Sequence, residues 1–397
     1  MTEYGYYKSR KRGRNRNAGR GRGWGNWLAF GLKAVDIVFL VVTIGVTVCM
    51  ALALLSKYIS PASIGYIPLL GLVFPVLYVA ELICFLYWAM RWKKHAFVCA
   101  AMLLAGFGSA RLFYRPDVRE RYDQQEPQRT EMIVMSYNVM NYSYPYARGE
   151  KKPVELIAQH VRDNNISIWC VQESNSSKEV QDIVAGVLPD MKNHYFKAYS
   201  GRDNETVMGL SIYSKYAVVA RGVVADPGNE RLYSIWADLK VKHDTVRVVN
   251  CHLQSTFIKD SDIDYLSSLR IVTEERGRER LRNILGKLNS NYKKRAPQAD
   301  KIAEFVKSSP HPVILCGDFN DTPVSYAYRK IGRGMDDAFV GRGRGTAGTY
   351  NGFFNMFRID YILMSDELEI INYYPFDVVH SDHNPIAASF DFVRKDI

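Results

Sequence analysis

Cysteine is scarce in this 397-residue chain, and its six thiols show no framework spacing. Cys49, Cys84 and Cys99 fall in long apolar runs, while Cys170, Cys251 and Cys316 fall in short strand-like ones. An odd number in the C-terminal part argues against a disulfide scaffold and for buried thiols. Net charge is missing from that part too. From Glu131 onward the chain carries 34 Lys+Arg and 34 Asp+Glu, whereas residues 1–130 carry 18 and 7. The first part therefore accounts for the whole net charge of +11. A neutral C-terminal domain speaks against a broad basic face for duplex nucleic acid, although a local patch stays open. The Gly-rich stretch Gly341–Tyr350, with Arg342 and Arg344, lacks the strand-to-helix context and the Lys-Ser/Thr of a P-loop. It reads as a flexible loop.

Apolar runs of membrane-spanning length are absent after residue 113 and crowded before it. Ala34–Leu55 is broken only by Asp36, Tyr66–Met90 carries Pro68, Pro75 and Glu81, and Ala96–Phe113 is free of charge until Arg111. Spanning a bilayer takes about 20 apolar residues, so three transmembrane helices are expected. A cleaved signal peptide fits poorly, because the basic leader is long and further runs follow. Glu81 is expected to pair with a neighbouring helix. Basic residues cluster in Lys8–Arg22 and Arg91–Lys94, while the loop between the first two runs offers only Lys57. By the positive-inside rule the N-terminus and second loop face the cytoplasm, and three spans would place the C-terminal domain outside. If the third run does not cross, that domain faces the cytoplasm.

Four regions follow: a basic Arg/Gly-rich cytoplasmic tail (1–33), a membrane domain (34–113), a solvated linker (114–130) and a catalytic domain (131–397). The tail is low in complexity and is expected to anchor topology rather than fold alone or bind RNA. Phe257–Val272 reads as an insertion that could cover a site or face the membrane. Leu281, Ile284, Leu285 and Leu288 repeat at helical spacing within a basic segment.

The catalytic domain shows one design repeated: an apolar run of strand length closed by a polar residue. Val313–Cys316 leads into Gly317-Asp318-Phe319-Asn320, and alternation along an extended chain turns Asp318 and Asn320 the same way. Alone, this pair could be an Asx-type turn. Val134–Tyr137 ends on Asn138, Ile166–Val171 on Gln172-Glu173, and Val246–Val249 on Asn250-Cys251-His252. Asp360 lies inside an apolar strand, where an unpaired acid costs several kcal/mol, and Ser381-Asp382-His383 closes the set. Six such strand ends make coincidence improbable.

In order, these motifs resemble those of the endonuclease/exonuclease/phosphatase superfamily, which includes DNase I-like nucleases, sphingomyelinases and inositol-polyphosphate phosphatases. Gly209-Leu210-Ser211-Ile212-Tyr213-Ser214-Lys215 is similar to a further strand of that family. The resemblance covers about residues 131–393. It implies an α/β fold, a four-layer α-β-β-α sandwich (DNase I-like), here preceded by transmembrane helices. It also implies a metal-dependent phosphoester hydrolase using Mg²⁺, or Mn²⁺, with Glu173 as the main ligand and Asn138 and Asp382 completing the metal environment. His383, held by Asp360, would be general base or electrostatic partner. Asp318 would orient or deprotonate the attacking water, Asn320 would donate to a phosphoryl oxygen, and His252 would donate from across the phosphate. The architecture resembles bacterial membrane proteins of the superfamily, which favours a lipid-linked or other envelope phosphoester. A nuclease acting on DNA or RNA is the alternative, and a catalytically dead scaffold is disfavoured by the complete motif set.

Overall fold

The computed structural model describes residues 20–116, 132–147, 150–199, 208–224, 232–256, 275–352, 357–378 and 380–393, with side chains in the first helix from residue 31. The expected insertion Phe257–Val272, most of the tail and most of the linker lie outside these residues.

The N-terminal part is helical: α1 (Arg20–Ser56), α2 (Ile67–Leu72), α3 (Phe74–Met90) and α4 (His95–Ala110). Helix thus begins inside the Arg/Gly segment. Among the described residues, only Gly31–Ser56 is long and apolar enough to cross a membrane on length and composition. This corrects the expectation of three full spans. The second run breaks at Val73, whose backbone leaves helical geometry just before Pro75, and α3 keeps 17 residues while α4 has 16. At 1.5 Å per residue these reach about 24–26 Å, short of a hydrocarbon core of about 30 Å. All three helices nonetheless turn apolar side chains outward: Val41, Leu82 and Leu104 are 66%, 41% and 77% exposed. Glu81 does pair with a neighbour, since Thr47 Oγ1 on α1 donates to both of its oxygens at 3.0 and 3.1 Å. Arg91 and Asp36 form an ion pair at 2.9 Å at the far end of the bundle, beside the Arg91–Lys94 loop.

The C-terminal part is an α/β sandwich of two mixed sheets. After β1 (Tyr114–Arg115) come β2 (Met132–Asn138), α5 (Pro153–Asp163), β3 (Ile168–Asn175), α6 (Lys178–Val187), β4 (Asn193–Ala198), β5 (Met208–Ser214), β6 (Ala217–Val223), β7 (Ser234–Val241) and β8 (Asp244–His252). Then follow α7 (Glu275–Lys307), β9 (Val313–Asp318), α8 (Tyr326–Ile331), β10 (Asp336–Asp337), α9 (Ala338–Arg342), β11 (Gly345–Thr346), β12 (Asp360–Met364), β13 (Leu368–Pro375) and β14 (Ile386–Phe392). One sheet runs β13-β14-β2-β3-β5-β4, the other β10-β12-β9-β8-β7-β6. The pairs β2/β3 and β8/β9 are parallel, and the remaining ladders are antiparallel.

Period-two alternation builds the layers. In β3, Ile168 and Cys170 enter the core between the sheets, while Trp169 and Val171 pack under α5 and α6. In β9, Ile314 and Cys316 face that same central core, while Val313 and Leu315 meet Ala299 and Ile302 of α7. The expected four layers result. Cys170, Cys251 and Cys316 are free and buried, as expected, and burial pushes the Cys251 thiol well above its ordinary range.

The helical repeat around Leu281 belongs to α7, but its apolar face does not serve the sandwich alone. Ile284, Leu288 and Tyr292 cluster with Leu69 of α2, and Asn289 Oδ1 accepts the Tyr66 N–H at 3.1 Å. A single helix therefore covers a sheet with one half and touches the bundle with the other. The expected flexible loop at 341–350 is also more ordered than anticipated: β11 pairs with β1, the start of the linker, in an antiparallel ladder.

Candidate active site

Strand register brings the polar ends together. Across the parallel pair β2/β3, Asn138 lies opposite Gln172; across β8/β9, His252 lies opposite Asp318; and β12 sets Asp360 opposite Asp318 from the other side. Each sheet thus delivers its polar residues at one edge. Buried amides tie the two edges together. Gln172 Nε2 donates to Asn250 Oδ1 at 2.7 Å, and Asn250 Nδ2 donates to the carbonyls of Val171 and Ser211 at 2.9 and 2.8 Å.

The local backbone explains three of the residue types. Gly317 has φ +151°, and a Cβ there would lie 2.0 Å from the Cys251 carbonyl oxygen, so only glycine lets β9 pass the end of β8. Glu173 has φ 54° and sits where the β3/β5 register shifts between Val171 and Ser174. Such a bulge re-aims one side chain at the cost of backbone strain, which is found most often at functional sites. Asn320, at φ 52°, is a residue type that tolerates the left-handed region. Its N–H donates to Asp318 Oδ1 at 2.7 Å. The Asx turn considered from sequence is therefore real, and it coexists with the convergence of the site.

The side chains form a connected group. Asn138 Nδ2 donates to Glu173 Oε1 at 3.3 Å and to Asp318 Oδ2 at 3.1 Å, while its own Oδ1 accepts the Met140 N–H. Asn138 thus holds two carboxylates and spends its oxygen on the backbone. His252 Nε2 stands 3.7 Å from Glu173 and 3.6 Å from Asp318. His383 Nδ1 meets Asp360 Oδ2 at 2.9 Å, and its Nε2 lies 3.8 Å from Asp318 Oδ2. Asn320 Nδ2 donates to the Leu253 carbonyl at 3.3 Å. Asp382 is half-buried, its Oδ1 3.3 Å from Ser381 Oγ. Asp318 is 1% exposed, whereas the Glu173 side chain is 27% exposed and marks the open flank of the cluster.

Burial and charge set the protonation. Burial, followed by the nearby Asp360 carboxylate, pushes Asp318 up to about 7. For His383 burial alone would favour the neutral ring, but the carboxylates of Asp360 and Asp318 outweigh it and hold the imidazole up at about 10. The site thus pairs an acid able to take a proton near neutrality with a ring that keeps its own.

Two participants, Tyr199 and Thr349, carried no sequence signal. Tyr199 Oη accepts the Glu173 N–H at 3.0 Å and lies 2.7 Å from His252 Nδ1. Tyr199 thus links the Glu173 backbone to the His252 ring and turns Nε2 of that ring toward the carboxylates. Thr349 Oγ1 accepts the N–H groups of Ile359 and Asp360 at 3.0 and 3.1 Å. Ser381 Oγ donates to the Asn138 carbonyl at 2.7 Å and so ties the His383 segment to β2.

Residues 135–383 match the model of the endonuclease/exonuclease/phosphatase family. The chain belongs to that family. Members of this endonuclease/exonuclease/phosphatase family are hydrolases of phosphoester bonds, and the chain is an enzyme of that class. Residues 36–113 match a domain of unknown function. No curated protein matches the chain. Among solved structures it is similar to a family protein from Beutenbergia cavernae, at 14% identity and TM-score 0.47, over 66% of this chain and 72% of the other. It is also similar to a family protein from Bacteroides thetaiotaomicron, at 19% identity and TM-score 0.46, over 68% of this chain and all of the other. A mannosyl-6-phosphatase from Bacteroides thetaiotaomicron matches at 18% identity and TM-score 0.44, over 66% and 100%.

The family is in general dependent on divalent metal, and the donor chemistry here fits a hard cation. Asp318, Asp360 and His383 bring ligand atoms within 4.8 Å of one another, with Asp360 already engaged by His383 Nδ1. The better oxygen donors lie on the Glu173 flank, where two carboxylates share one amide and one of them is open to solvent.

Proposed function

We propose that this chain is a membrane-anchored, Mg²⁺-dependent phosphoesterase acting on a membrane-borne phosphate ester on the side opposite the Arg91–Lys94 loop. The observation that carries this reading is where the site is seated. The segment leaving Asp318 and Asn320 runs directly onto the helix ends: Thr322 Oγ1 donates to the Gly71 carbonyl at 3.4 Å, and Val324 is buried with Met50, Ala53 and Phe74. From the other side, Arg358, two residues before Asp360, donates to the Leu112 carbonyl beyond α4. Both catalytic strands therefore rest on the end of the bundle away from the basic loop, and outward apolar side chains on all three helices support a bilayer around it.

Glu173 would hold the cation, Asp382 would add a further carboxylate, and Asn138 would orient the donors. When bound, the metal would polarise a phosphoryl oxygen and neutralise charge developing on phosphorus. Asp318 would take the proton of the attacking water, its raised pKa suiting a base near neutrality. His383, kept protonated by Asp360, would donate to the phosphoryl or leaving oxygen rather than act as base. His252, with Nε2 facing the carboxylates, would donate from the opposite side, and Asn320 would order the loop between them.

The test is to compare turnover of the full chain in nanodiscs on a polyprenyl diphosphate, a phospholipid, a bis-aryl phosphate and duplex DNA. Hydrolysis of a lipid phosphate, lost in Glu173→Ala and His383→Ala, is the expected result. Activity confined to DNA would overturn the lipid reading in favour of a nuclease. Proteolysis of intact spheroplasts should remove the catalytic domain, and its protection would overturn the topology.

A further inference from the structure

A buried guanidinium stands behind the site. Arg295 of α7, 1% exposed, reaches the two segments that leave β8 at His252 and β9 at Asp318. Those segments run on side by side. The Leu253 N–H donates to the Asp318 carbonyl at 3.0 Å, and Asn320 Nδ2 donates back to the Leu253 carbonyl at 3.3 Å. Arg295 closes the pair one step further out. Its Nε and Nη2 donate to the Gln254 carbonyl at 3.0 and 2.8 Å, and its Nη1 lies 2.9 Å from Asp321 Oδ2. Each clamped residue has a second tie. The Gln254 N–H donates to Gln298 Oε1 of α7 at 2.8 Å, and the Asp321 carbonyl accepts from Tyr361 Oη at 2.8 Å.

We propose that Arg295 is a positioning residue for hydrolysis, fixing the spacing of His252 and Asp318 by clamping Gln254 to Asp321. Two features point to geometry rather than stability. Desolvating both charges of a buried ion pair offsets most of their attraction, so the pair adds little net stability. The planar fork, by contrast, bonds only along set directions, and here its prongs go to two different catalytic segments. The guanidinium also rests on the Tyr292 ring at 4.9 Å, and Tyr292 belongs to the cluster that Leu69 of α2 packs against. The clamp is thereby braced from the helical bundle. This proposal rests on the reading of His252 and Asp318 as catalytic, and it assigns their separation of 3.6 Å to a side chain outside the site.

The test measures kcat, KM and melting temperature of the full chain in nanodiscs, on a bis-aryl phosphate with Mg²⁺. Arg295→Met alone leaves Asp321 buried without its counter-charge and should lower the melting temperature. Arg295→Met with Asp321→Asn removes both charges and should recover it. Its kcat should nonetheless stay about ten- to a hundredfold low, with KM little changed. Arg295→Lys keeps the charge but not the fork, and should lower kcat by about tenfold. The control is a second buried pair, Arg247 and Asp238, bonded at 2.7 and 2.8 Å toward the end of β8 away from His252. Arg247→Met with Asp238→Asn should leave kcat unchanged. Wild-type kcat in Arg295→Lys and in the Arg295 double variant, or an equal loss in the Arg247 pair, would overturn the positioning role. Glu173→Ala measured alongside separates the readings. If it loses turnover while the Arg295 variants do not, the positioning role alone fails; if it keeps turnover, the catalytic reading and this proposal fail together.

Discussion

The hydroxyl of Ser56, the last residue of α1, lies 3.2 Å from the carbonyl oxygen of Val324 across 268 positions of sequence, while reaching back to the Ala53 carbonyl at 2.6 Å. Gly71 completes the seat, because a Cβ there would lie 2.3 Å from the same carbonyl and 2.7 Å from Ser56 Oγ. Gly71→Val should push the segment around Val324 off the helices and, through it, shift the loop that leaves Asp318 and Asn320. A displacement of about 1 Å at a catalytic loop can cost on the order of a hundredfold in rate. We expect kcat to fall by about ten- to a hundredfold with membrane integration intact. Unchanged kcat in the purified variant would show that the seat does not position the site.

Asp360→Asn removes the main carboxylate that keeps His383 protonated. The imidazole should then lose its proton at lower pH, so the alkaline limb of kcat/KM should move down from about 10 toward 6.5. His383→Ala should remove the limb and slow turnover by roughly 10²–10⁴-fold. Stability carries the same sign. A histidine whose folded pKa is raised stabilises fully below its unfolded value and loses that contribution as pH climbs through about 10. A limb that stays put in Asp360→Asn would reassign the alkaline pKa to another group.

Tyr199→Phe removes the hydroxyl that holds His252 and caps the Glu173 N–H. Loss of such a buried bond is worth about 1–2 kcal/mol, so activity should fall by about five- to thirtyfold. In a double-mutant cycle with His252→Ala the two losses should not add. Full additivity would mean that Tyr199 acts independently of His252.

Chelation should abolish hydrolysis, and Mg²⁺ should restore it. Because a cation between Glu173 and its neighbours would bind only the folded site, thermal stability should rise with Mg²⁺ concentration and cease to do so in Glu173→Gln. Full activity in EDTA would defeat the metal mechanism outright.

Much of this site was legible in the sequence, because a strand announces itself locally. Apolar alternation ending on Asn138, Glu173, His252 and Asp318 specifies both burial and exit, and the register of two parallel pairs does the rest. Asp360 was legible for a different reason: an acid in an apolar strand demands a partner, and His383 supplies one. Tyr199 and Thr349 gave no such sign. Each acts through a hydroxyl whose partner is set by tertiary approach, with no spacing to reveal it. The N-terminal helices were legible in composition but less so in length: the run from Tyr66 to Met90 breaks at Val73, beside Gly71, which lies against Val324 in a contact made only in the folded chain. The paired β1 and β11 were invisible for the same reason, being two residues long and made only by the domains meeting.

The short ladder between Tyr114–Arg115 and Gly345–Thr346 has a mechanical consequence. Together with α7 and the Ser56–Val324 contact, it straps the catalytic sandwich to the bundle at separate points, so the enzyme cannot swing freely on its tether. With the bundle embedded as proposed above, its catalytic centre would be carried at a fixed height above the bilayer. Such a centre works as a ruler: it selects among phosphates by their depth before it selects by their chemistry, and one displaced along the membrane normal is out of reach however well its chemistry suits the site.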